Sequence, residues 1–166
     1  MQIVIPSDED AFSTAMLLKT AVNTAGTKES GRGDRILFDI AVSVGYGPID
    51  GYTDLDLQND KPFVLSGRGL ENLKQQSLTA GVFTGDIETD LESDTLFFMF
   101  EWIMKQWSLS SAEIVFHKLK GLTEKEMASK LGISQSAVNQ RSRAACWNGL
   151  DRLIKRCARI SAKAYD

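Results

Sequence analysis

Between positions 121 and 143 the sequence GLTEKEMASKLGISQSAVNQRSR constrains the backbone almost residue by residue. Thr123 and Glu126 stand three apart ahead of an apolar run, the spacing at which two side chains satisfy orphan N–H groups at a helix start. Met127, Ala128 and Leu131 recur at helical intervals and predict the inner face of a short helix, with Ala128 small where a second helix must cross. Gly132 permits a turn that an ordinary residue would strain. Ile133 anchors that turn, Ser134 is a ready N-cap, and Val138 faces inward from the next helix. The segment is predicted to be a helix-turn-helix.

Gln135, Ser136, Asn139, Gln140 and Arg143 are then left pointing outward. Amides, a hydroxyl and a guanidinium are groups that hydrogen-bond base edges or hold phosphates in a major groove. Two short helices about a glycine turn also make ordinary αα-hairpins. An ordinary solvated face mixes charge signs, however, and positions 134–150 contain no acidic residue. The expected site comprises Ser134, Gln135, Ser136, Asn139, Gln140, Arg141 and Arg143 on the second helix, bordered by Lys130 and Lys125. The expected partner is double-stranded DNA.

Charge divides the chain. The whole carries a net charge of −3. Residues 1–106 hold 8 Lys+Arg against 17 Asp+Glu, and residues 107–166 hold 11 against 5, so the halves stand at −9 and +6. A basic final third is the footprint of a module that neutralises phosphates, and the acidic remainder is expected to face away from the duplex. Three segments are predicted: an α/β domain over 1–90, a connecting or dimerisation helix over 91–106, and a helix-turn-helix domain over 107–166.

At 166 residues the chain has room for one ordinary domain, or a modest domain plus a small helical one. Its longest apolar runs fall short of the roughly 18 residues of a membrane span. No basic n-region followed by an apolar core opens the chain, so neither a signal peptide nor a membrane partner is expected, and a cytoplasmic location is. Cys146 and Cys157 are expected on one side of a continuous helix, about three turns apart and too distant for a disulfide. Buried thiols are the reading, and the pair makes no zinc motif.

Along the chain, 2–5 reads as a short strand. Ser7 and Asp10 cap a helix to about Asn23, with Phe12, Ala15, Met16, Lys19 and Val22 at helical intervals. Residues 26–33 form a glycine-bearing loop. Residues 35–44 alternate Ile36, Phe38, Ile40, Val42 and Val44 against Leu37, Asp39, Ala41 and Ser43, the clearest strand pattern present. Residues 50–61 read as an acidic loop, 63–75 as a helix after Pro62, and 81–84 as a strand. The order β-α-β-α-β predicts an α+β protein, a small α/β sandwich followed by an all-α domain. Residues 91–106 form a helix too apolar for one buried face. Either it fills the groove between two domains, or it pairs with a second copy in a homodimer. Ser110 and Glu113 predict a second capping box.

The segment 40–47 (IAVSVGYG) followed by 62–71 (PFVLSGRGLE) resembles the later part of a SatD-type domain, a family related in fold to nucleotidyl cyclases. Trp107-Ser108 and 131–143 resemble the helix-turn-helix that follows that domain, which is also similar to region 4 of bacterial sigma factors. The resemblance implies a bacterial transcriptional regulator, with RNA polymerase as a further partner. It also implies a strand and a Gly-Asp hairpin ahead of Gln2, so the cyclase-like domain is expected to be N-terminally incomplete. Arg141 departs from the helix-turn-helix pattern, which usually has an apolar residue there.

Other motifs carry less. Gly45, Gly47 and Gly51 miss the dinucleotide fingerprint because Asp50 stands where its third glycine belongs. Ser66-Gly-Arg-Gly69 has the composition of a phosphate cradle at a helix start, but the glycines more simply let the helix approach a sheet. Asp54 and Asp56 begin a calcium-loop pattern that Asn59 and Leu65 break. His117 is the single histidine, with nothing to build a catalytic triad around it. Asp39 lacks the second carboxylate that a cyclase metal site requires. No catalytic residue, metal site or cofactor is expected. The competing function is a nucleotide-binding or cyclase-like domain with an accessory helix-turn-helix.

Overall fold

The computed structural model describes residues 1–25, 34–49 and 60–163. The glycine loop at 26–33 and positions 50–59, with Asp54 and Asp56, lie outside the described residues.

Seven helices and two strands are described: α1 (Asp8–Thr24), β1 (Val42–Gly45), α2 (Lys61–Gln76), β2 (Ala80–Phe83), α3 (Ile87–Met104), α4 (Leu109–Leu119), α5 (Glu124–Leu131), α6 (Gln135–Ala144) and α7 (Trp147–Lys163). The class is α+β with helices dominant. Where a larger sheet was expected, there are two parallel strands joined through α2, in the register Val42 to Ala80 and Gly45 to Phe83. Parallel strands need such a crossover, and a helix is the usual one.

The 35–44 strand shrinks to its last residues because helix side chains occupy the ladder positions ahead of it. Asn23 Nδ2 donates to the Phe38 carbonyl at 2.9 Å, and Lys19 Nζ donates to the Ile40 carbonyl at 2.8 Å. Lys19 also pairs with Asp39, so that carboxylate has the partner that alternation alone did not supply. Residues 2–5 form no strand either. Gln2 instead donates from Nε2 to the Phe63 carbonyl and to Ser66 Oγ.

Gly45 and Gly69 let α2 lie close to the strands. A Cβ on Gly45 would overlap the Pro62 carbonyl oxygen, and one on Gly69 would overlap the Phe83 ring. The main core then gathers residues from all three predicted segments. Phe12 and Met16 of α1 meet Phe97 and Phe100 of α3, Val115 of α4, and Leu150, Cys157 and Ile160 of α7. Phe12 and Phe97 pack edge to face, with ring centres 5.1 Å apart. Burial pushes the Cys157 thiol up to about 12, the signature of an inert core cysteine. Cys146 does not share a continuous helix with it. At φ 53 it takes the left-handed conformation that ends α6, and α7 starts at the next residue.

Helix α3 begins a turn earlier than its apolar pattern suggested. Asp86 Oδ1 accepts from the Thr89 N–H at 2.9 Å and caps it. Among the described residues, no helix is long and apolar enough to cross a membrane.

Candidate nucleic-acid interface

The 121–143 segment forms two helices about a glycine turn, and local chemistry accounts for each boundary. Thr123 Oγ1 accepts from the Glu126 N–H, while the Glu126 carboxylate accepts from the Thr123 N–H at 2.7 Å, completing the capping box. These bonds hold the Glu126 carboxyl below its ordinary range. Gly132 ends α5 at φ 66. Ser134 Oγ accepts from the Ala137 N–H at 3.1 Å and starts α6. Ile114 of α4, Met127 of α5 and Val138 of α6 make a separate small core, sealed by Leu122, Ala128, Leu131 and Ile133. Helix α6 is therefore held by its inner face on two other helices.

On that helix Gln135, Ser136, Asn139, Gln140 and Arg143 are all exposed, whereas Val138 and Ser142 are buried. At 100° per residue the five exposed positions fall within an arc of about 140°. Ser134 is also exposed, but its hydroxyl is engaged as the cap and lies 2.8 Å from Ser136 Oγ.

Arg141 stands apart from this arc. It is half-buried on the other flank of α6, near Asp34. Burial alone would raise the Asp34 carboxyl. Hydrogen bonds from Ser110 and Ser108, with the Arg141 charge nearby, hold it below the usual carboxylate range. A charged residue at a usually apolar helix-turn-helix position thus lies in the field of a carboxylate from a distant segment. Lys125 and Lys130 are both exposed, in the first and last turns of α5. Five residues apart, they stand about 140° apart and occupy different flanks.

The capping box expected at Ser110 and Glu113 is not formed. Ser108 caps α4 by accepting from the Ser111 N–H at 3.2 Å, and the Ser110 N–H donates to Asp34 Oδ1 at 2.7 Å. Asp34 was missed because its partners lie more than seventy positions away, beyond any local pattern. Lys118 and Lys120 were also passed over. The first lies over the Trp147 ring at 5.5 Å and the second over Phe116 at 5.3 Å, cation–π contacts at the edge of the same three-helix unit.

His117 is buried in the last turn of α4, and its carbonyl accepts from the Leu122 N–H at 3.1 Å. Among the described residues, no three His, Cys, Asp or Glu side chains gather as metal ligands would. Comparison with family models, curated proteins and solved structures finds no match to this chain.

Proposed function

We propose that this chain is a DNA-binding transcriptional regulator that lays α6 in the major groove. The observation that carries the reading is the exposed arc of Gln135, Ser136, Asn139, Gln140 and Arg143 on a helix fixed by its opposite face. It holds three carboxamides, one guanidinium and no carboxylate. A carboxamide is the group that pairs bidentately with adenine, and a guanidinium with guanine or phosphate. The +6 balance of residues 107–166 supplies the non-specific attraction on which base readout is superimposed. Arg143 is the cation of the arc, while Arg141 lies off it, half-buried on the flank near Asp34.

Selection of bound duplexes from a random pool by the full chain tests this reading and yields a preferred site. Asn139→Ala or Gln140→Ala should then cost about 1–3 kcal/mol at that site and little on unrelated sequence. Equal loss on every sequence would remove base readout from these residues. Binding that appears only with added RNA polymerase would move the unit's role to the polymerase.

A further inference from the structure

Helix α3 buries Phe97, Phe100 and Met104 in the core but leaves a second apolar stripe in solvent. Ile87 is 77% exposed, Leu91 64%, Phe98 63% and Trp102 71%. Their spacings are four, seven and four residues, so they share one face of the helix, and the stripe reads the same from either end. That symmetry suits a particular occupant.

We infer that the stripe is the contact between two copies of this chain, with the two α3 helices packed antiparallel about a two-fold axis through the midpoint of Asp94 and Thr95. In that arrangement Ile87 of each copy opposes Trp102 of the other, and Leu91 opposes Phe98. An isologous interface demands this self-complementarity, whereas a partner of another kind places no such condition on the spacing. Charge agrees. Asp86 and Glu88 stand at the start of α3, and Lys105 follows its end. Antiparallel pairing brings each lysine to the other copy's acidic start and opposes the helix dipoles. Covering the stripe removes at most on the order of 600 Å² per subunit, at the small end beside the ~800 Å² per partner of a standard interface.

The pairing goes beyond the proposed function and is measured without DNA, so either reading can fail alone. Sedimentation of the full chain at micromolar concentration should give a dimer. Phe98→Glu and Trp102→Glu, each checked for an unchanged circular dichroism spectrum, should weaken it roughly tenfold or more. The axis brings the two Thr95 positions together, so Thr95→Cys should form a disulfide-linked dimer under mild oxidation, and Glu71→Cys on α2 should not. A wild-type monomer at hundreds of micromolar would overturn the inference. So would a dimer indifferent to both glutamate variants, or one in which Thr95→Cys cross-links no better than Glu71→Cys.

Discussion

Lys19 sits at an apolar position of α1 with 2% of its side chain exposed, while its partner Asp39 keeps 46%. Burial is the largest influence on the ammonium and lowers its pKa, with the Asp39 hydrogen bond and charge opposing. The Asp39 Oδ1 also accepts from Asn23 Nδ2 at 2.9 Å and the Ile40 N–H at 2.8 Å. The two halves of this pair are therefore not equivalent. Asp39→Ala leaves the buried Lys19 ammonium with only the Ile40 carbonyl and the Glu101 charge to favour it, and should cost about 1–3 kcal/mol, discounted from a fully buried pair because the carboxylate is half in solvent. Lys19→Met leaves a carboxylate that water can reach, and should cost less. Urea unfolding of the two variants measures the difference. Equal costs, or the reverse order, would contradict the described burial. Periodicity had put Lys19 on the inner face of α1, but its partner depends on how an extended segment lies against that helix.

At the scale of elements, what was legible in the sequence is what short-range chemistry decides. The capping box at Thr123 and Glu126, the turn at Gly132 and the cap at Ser134 all close within three or four residues. What was not legible depends on distant groups. The Ser110 N–H goes to Asp34 rather than to a local cap, and carbonyls 38 and 40 go to α1 rather than to another strand. Two glycines separate local from tertiary demands in a measurable way. Gly132 has a left-handed φ and open space where a Cβ would stand, so Gly132→Ala should lose only about 1–2 kcal/mol of backbone preference. A Cβ on Gly45 would overlap the Pro62 carbonyl and lie 2.8 Å from the Ser66 nitrogen, both backbone atoms that cannot rotate away. Gly45→Ala should therefore cost about 3 kcal/mol or more, because α2 must shift bodily. Thermal or urea unfolding that ranks Gly132→Ala as the worse substitution would contradict this close approach.

The whole molecule joins two kinds of surface. The basic final third carries the exposed polar arc of α6, and the acidic remainder carries the apolar stripe of α3. The charge contrast was plain in the sequence. The continuity of the core was less so, because α1 packs against both α4 and α7. The Asp34 contacts tie the chain ahead of β1 to the base of the helix-turn-helix. The central claim is that α6 meets DNA through its exposed arc, and salt dependence reads it most directly. Fluorescence anisotropy of a labelled duplex, titrated with the full chain across a salt series, should give a log affinity falling linearly with log salt. Arg143→Ala should lower that slope by about one, whereas Arg141→Ala, at a half-buried position off the arc and on the flank near Asp34, should leave it nearly unchanged. An affinity indifferent to salt, or no binding to any duplex at low salt, would contradict the account.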